Sequence, residues 1–168
     1  MANLVFFHAH PDDEAISTGG TMALSSDQGH HVTLVVATRG EMGEPVEGVL
    51  NTGELLGDRR EAELRRSAEI LGVDTVEFLG YRDSGMVDEP SNGDPTCFWQ
   101  ADLEEASQRL AEILQRDEAD ILIGYDPHGV YGHPDHLKVH LVGARAAEIA
   151  GVDRVLWATA NRTMILQA

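Results

Sequence analysis

The chain has 168 residues, 42% hydrophobic and 24% charged, enough to bury the core of one domain without staples. Its formal net charge of −17 argues against a nucleic-acid backbone or an anionic membrane surface as partner, because both need clustered Lys and Arg; the one lysine is Lys138. The lone Cys97 allows no internal disulfide, the N-terminus carries no basic segment ahead of its short apolar run, and no stretch reaches transmembrane length. These features predict a cytoplasmic location and leave homo-oligomerisation open.

Short apolar runs alternate with amphipathic stretches, and nothing repeats. NLVFF (3–7) reads as a strand, and 13–29 reads as a helix that stops at Gly29. HVTLVVAT (31–38) is a β-branched apolar strand. The stretch 58–72 carries Ala62, Leu64, Ala68, Ile70 and Leu71 near helical spacing and stops at Gly72. TVEFLG (75–80) is a third strand, 101–116 a helix with Leu103, Ala106, Leu110, Ile113 and Leu114 on one face, and DILIGY (120–125) a fourth strand. A helix over 134–151 and a fifth strand, RVLWA (154–158), complete the pattern. Alternating strands and helices predict an α/β fold, a Rossmann-like doubly wound and mainly parallel sheet of about five strands in the order 3-2-1-4-5, with helices on both faces. Strands 1, 2 and 4 are apolar throughout, as strands covered on both faces should be. Two stretches resist assignment, 39–57 and 81–100; both follow the carboxyl end of a strand, where such folds place functional loops.

Chemistry-bearing residues concentrate in two places. After strand 1, HAHPDDE (8–14) places His10 and Asp13 three residues apart, able to converge on one point, with Pro11 in a position that a first helical turn allows. Alone, Asp12, Asp13 and Glu14 could simply complement a helix N-terminus. After strand 4, His133-Pro134-Asp135-His136 repeats the grammar of His10-Pro11-Asp12-Asp13. The predicted strand order makes strands 1 and 4 neighbours at the switch point, outside whose carboxyl ends ligands bind. Two histidines and a carboxylate with one open position form the usual hydrolytic zinc arrangement, and His10, Asp13 and His136 can supply it. The same set accepts Fe²⁺.

AHPDDE (9–14) with GHPDH (132–136) resembles the LmbE-like, or PIG-L, zinc-dependent N-deacetylases. TRGEMGE (38–44), RREAEL (59–64), LGV (71–73) and RDSGM (82–86) look most like the branch that includes the mycothiol-pathway deacetylase and the mycothiol-conjugate amidase. The resemblance implies a single domain over 1–168 and removal of an acetyl or acyl group from the amine of a small N-acetylglucosamine-type conjugate. It implies His10, Asp13 and His136 as zinc ligands, Asp12 as general base, and His133 as the acid or oxyanion-stabilising histidine, oriented by Asp135. Tyr131 would help to polarise the carbonyl, and Arg60 and Asp83 match positions that hold sugar or inositol hydroxyls. A cationic His133, favoured by charge pairing with Asp135, would serve the oxyanion best. The chain departs from the pattern at His128 and Val130, where relatives often have Asn and Gly. It also stops soon after strand 5, short of a C-terminal part that usually helps to wall the pocket.

Other polar residues have plainer readings. His8 reads as a satisfied buried histidine, His30 and His31 as turn residues, and His140, one helical turn after His136, as a support for that histidine or a residue of the core edge. Gly19 and Gly20 suit close helix–sheet packing, with no phosphate-loop pattern around them. Three other functions compete with deacetylation. Mycothiol S-conjugate amidase activity uses the same site. A phosphoacceptor receiver domain would use Asp83, but it wants a lysine after strand 5 and Lys138 follows strand 4. A metal-retaining, non-catalytic sugar-binding module would bind sugar yet release no amine.

Overall fold

The computed structural model describes residues 1–159; residues 160–168 of the expected domain lie outside them. Five strands, β1 (Asn3–His8), β2 (His31–Val36), β3 (Thr75–Phe78), β4 (Ile121–Tyr125) and β5 (Arg154–Ala158), form one sheet in the order β3-β2-β1-β4-β5. Every pairing is parallel, with Phe6 opposite Leu34 on one side and Ile123 on the other. The predicted order is therefore the observed one. Its reason lies in the central strand: Val5, Phe6 and Phe7 are all fully buried, so β1 needs cover on both faces.

That cover comes from two pairs of helices. Leu4 and Phe6 pack with Met22 of α1 (Gly19–Asp27) and Leu64 and Ala68 of α2 (Leu56–Leu71). Val5 and Phe7, one pleat away, pack with Leu110 and Leu114 of α3 (Leu103–Arg116), and with Val139, Val142 and Ala146 of a long helix, Pro134–Ala150. A short turn of helix, α4 (Gly129–Gly132), precedes that helix, which is accordingly α5. Asp102 caps α3 by accepting from the Glu105 N–H at 2.9 Å. Gly151, at φ +75°, ends α5 in the left-handed conformation that stops helices. Among the described residues no helix is long and apolar enough to cross a membrane.

Two expectations change. The single helix expected over 13–29 divides into a π-helical turn, Glu14–Thr18, and then α1. Pro11 does not open a helix either, because Asp12 adopts φ +117°, outside any helical conformation. The unassigned stretch 81–100 holds two 3₁₀ turns, Pro90–Gly93 and Phe98–Gln100, and a parallel bridge between Arg82 and Cys97.

Candidate active site and metal centre

The carboxyl ends of β1 and β4 carry the two histidine motifs, and the structure brings them together. The His10 backbone N–H donates to Asp13 Oδ2 at 2.9 Å, which folds the turn after β1 back on itself. Asp13 Oδ2 then lies 3.5 Å from His10 Nδ1 and 3.3 Å from His136 Nε2. All three side chains are buried. Bonds of about 2.0–2.1 Å to a tetrahedral zinc would separate neighbouring ligand atoms by roughly 3.3 Å, so these spacings fit the ion.

Tautomers sharpen the assignment. Asp135 Oδ2 lies 3.1 Å from His10 Nε2 and accepts its proton, so Nδ1, which faces Asp13, is the nitrogen that a bound cation would take. The Ser84 N–H donates to the same carboxylate at 3.0 Å, and the Ser84 hydroxyl donates to its other oxygen. A second trio, His10, Asp83 and His133, has similar spacing. Its histidine is less suited: His133 Nδ1 accepts the Asp135 N–H at 3.1 Å, so a neutral ring carries its proton on Nε2 and can donate but not ligate. Asp83 already accepts from the N–H groups of Met42 at 3.1 Å and Gly85 at 2.9 Å. The His10, Asp13 and His136 cluster is the better place for a cation.

The expected pairing of the Asp135 carboxylate with the His133 ring is not formed; only the Asp135 backbone reaches that ring. Burial pushes the His133 imidazole down to about 4, and the charge of His10 adds to this against the opposing charge of Asp135. Burial thus works against the cationic His133 expected above and favours a neutral donor. Burial alone would raise Asp13 and Asp83. Hydrogen bonds from His10 and His136 hold Asp13 far below the usual carboxylate range, and His10 with two backbone N–H groups does the same for Asp83. Burial opposes a charge on His10, yet hydrogen bonds to Asp13, Asp135 and Asp83 outweigh it and raise its pKa. Four carboxylates are buried here, Asp13, Glu14, Asp83 and Asp135. So much buried negative charge is expensive without a cation among it.

Asp12 stands apart, exposed at the edge of the cleft. The Arg60 guanidinium donates to its Oδ2 at 2.8 Å, to Gly40 O at 2.9 Å, and to Pro11 O. Its backbone N–H donates to Glu14 Oε2 at 2.9 Å, and Glu14 Oε1 takes the Ser67 hydroxyl at 2.7 Å. These bonds hold Asp12 at a φ that costs a non-glycine residue about 1–3 kcal/mol. Burial, then the charge of Asp13, raises its pKa, against the lowering effect of Arg60. Arg60 therefore has protein partners of its own as well as a place in the cleft. Tyr131, 62% exposed, places its hydroxyl 3.5 Å from His136 Nε2.

Together with Met42, Glu44, Met86 and Glu89, these side chains line a cleft of about 460 Å³. His140 binds Tyr125 O through Nδ1 at 3.0 Å and packs on Trp157, which makes it a core-edge residue. Gly19 packs near Leu71, whereas Gly20 faces open space. Sequence reasoning gave no role to Ser84 or Tyr125 and only a helix-terminus role to Glu14; all three are buried against the motif residues. The signal for Ser84 was its place beside Asp83 in RDSGM.

The family model for PIG-L, described as GlcNAc-PI de-N-acetylase, matches residues 5–147. The chain belongs to the PIG-L family. A 1D-myo-inositol 2-acetamido-2-deoxy-alpha-D-glucopyranoside deacetylase from Thermomonospora curvata is 47% identical over 156 residues, covering 88% of this chain and 52% of that protein. The chain thus spans about half the length of the curated relatives it matches. The N,N'-diacetylchitobiose deacetylase of Pyrococcus horikoshii superposes with a TM-score of 0.69 at 28% identity, over 88% of this chain and 49% of that one. GalB, the 4-carboxy-2-hydroxymuconate hydratase of Pseudomonas putida KT2440, superposes with a TM-score of 0.66 at 25% identity, over 94% and 62%. PIG-L membership accounts for the paired motifs; what this member does follows from its cleft.

Proposed function

We propose that this PIG-L protein is a metal-dependent N-deacetylase of a small N-acetylglucosamine conjugate, with an inositol glycoside the preferred candidate. The observation that carries the reading is the buried His10, Asp13 and His136 cluster, spaced for a tetrahedral ion beside the exposed carboxylate of Asp12. The names of the relatives supply the substrate class. His10, Asp13 and His136 would hold Zn²⁺ or Fe²⁺. When bound, the ion polarises the amide carbonyl and lowers the pKa of a water to about 7.

The chain's own residues do the rest. Asp12 takes the proton of the attacking water and later delivers a proton to the departing amine. Arg60 fixes the orientation of that carboxylate. His133 presents Nε2–H to the carbonyl oxygen as it gains negative charge, an interaction that can contribute about 3 kcal/mol. Tyr131 contributes its hydroxyl as a second donor. Asp135 holds the His10 tautomer, and Asp83 ties the loops at Met42 and Gly85 to the back of His10. Free amine release from N-acetylglucosaminyl inositol, with metal content measured in parallel, tests the reading. Turnover should follow metal content and vanish in His136→Ala. Turnover by fully metal-free protein, or tight stoichiometric zinc retained by His136→Ala, would overturn it.

A further inference from the structure

Two of the three side chains assigned to the cation differ in what orients them. His10 has Asp135 on its second nitrogen. His136 has no such partner: its Nδ1 is buried without a hydrogen bond among the described residues. A metal-binding histidine usually donates its second N–H to fix the plane of the ring. Something else must hold His136.

Tyr125 is placed to do it. Its ring lies flat on the His136 imidazole, with centroids 4.4 Å apart and planes 14° from parallel. Its hydroxyl lies 2.8 Å from His8 Nδ1 and accepts the Ala9 N–H at 3.4 Å. His8 Nε2 lies 2.8 Å from Thr18 Oγ1, at the end of the π-helical turn. The sheet register explains the meeting. Phe6 pairs with Ile123, so two residues further on, His8 and Tyr125 stand side by side at the ends of β1 and β4. The proton assignments follow in series: the Ala9 N–H donates to the Tyr125 hydroxyl, Tyr125 donates to His8 Nδ1, His8 Nε2–H donates to Thr18, and the Thr18 hydroxyl donates to Glu14 O at 3.3 Å. A buried polar chain of this kind is costly unless every member is satisfied, and satisfied chains rigidify what they touch.

We propose that Tyr125 is the positioning residue of the metal centre, its ring setting the plane of His136 and its hydroxyl, braced by His8 and Thr18, holding that ring in place. This rests on the reading of His10, Asp13 and His136 as the cation's holders. Tyr125→Phe keeps the stack and removes the hydroxyl, Tyr125→Leu removes both, and His8→Gln removes the brace. Zinc affinity is measured by competition with a chromophoric chelator, Co²⁺ binding by its visible absorption, and metal-free stability by thermal melting. Zinc binding should weaken about 10–100-fold in Tyr125→Leu and by a smaller factor in Tyr125→Phe. The Co²⁺ spectrum should change in both. His8→Gln should add little once the Tyr125 hydroxyl is gone, because the two act through one hydrogen bond.

A merely structural role would lower the metal-free melting temperature and leave zinc affinity and the Co²⁺ spectrum as in the parent; that result overturns the proposal. Should Tyr125→Leu fail to fold, Tyr125→Phe and His8→Gln decide by the same measurements. Parent protein that binds no zinc would overturn the metal centre and this inference with it. Parent binding with unaltered variants would overturn the inference alone.

Discussion

At the scale of single residues, Asp12 carries the sharpest consequence. As the proposed base it must be ionised, so the rate should fall as pH drops through its pKa. Burial and the neighbouring Asp13 charge raise that pKa, and Arg60 lowers it. Replacing Arg60 by Gln removes the one cationic side chain bonded to the carboxylate, so the acid limb of kcat/KM should move to higher pH. Arg60→Lys, which keeps the charge, should leave the limb nearer its original position. Asp12→Asn should lose about 10²–10⁴-fold in turnover with zinc content unchanged. A pH–rate profile of the four proteins decides; an unmoved limb in Arg60→Gln would remove Arg60 as the group that tunes Asp12.

At the scale of elements, the link from β4 to α5 is the strained piece. Gly129 at φ +58°, Val130 at φ +63° and Gly132 at φ +90° turn the chain so that Tyr131 and His133 meet the cleft. A Cβ on Gly129 would come within 2.9 Å of His136 Cβ and of the Leu137 backbone nitrogen. Gly129→Ala should therefore cost on the order of 2–4 kcal/mol, from backbone strain plus overpacking. Gly151→Ala meets open space at a similar φ, so it should cost only the strain, about 1 kcal/mol. Thermal melting distinguishes them; a drop of about 5–12 °C is expected for Gly129→Ala and a few degrees for Gly151→Ala. Equal drops would remove the contact with α5 from the explanation. The same link shows what sequence could convey. Strand order and the meeting of the motifs followed from apolar runs and alternation, because those are local patterns repeated along the chain. The Asp12 turn did not, since Glu14 and Ser67 hold it across 53 residues and Arg60 across 48. The partners of the Asp135 carboxylate were hidden for the same reason: Ser84 is 51 residues away, whereas the family resemblance pointed to the adjacent histidine. Val130 adopts the conformation glycine prefers, which gives a physical meaning to the glycine that relatives often carry there.

At the scale of the whole molecule, the fold alone does not choose the reaction, since the GalB hydratase shares it. Charge narrows the choice. The chain carries a formal net charge of −17, and its cleft brings Asp12, Asp13, Glu44, Asp83 and Glu89 to one space with Arg60 the sole arginine or lysine lining it among the described residues. Even with a divalent cation in place, the outer cleft, where Glu44 and Glu89 stand, keeps its negative field. A neutral amino-sugar enters such a field without penalty, whereas a phosphorylated or dicarboxylate substrate is repelled by both the cleft and the surface. An uncharged N-acetylglucosamine glycoside should therefore be deacetylated with a kcat/KM about ten-fold or more above that of its 6-phosphate at low ionic strength. Salt separates this electrostatic exclusion from a steric one. As the screening length falls towards about 3 Å near 1 M salt, the two substrates should converge, with the phosphorylated one gaining and the neutral one little changed. Glu44→Gln with Glu89→Gln should narrow the gap without salt. A gap that persists unchanged through both treatments would mean that shape, not charge, excludes the phosphate.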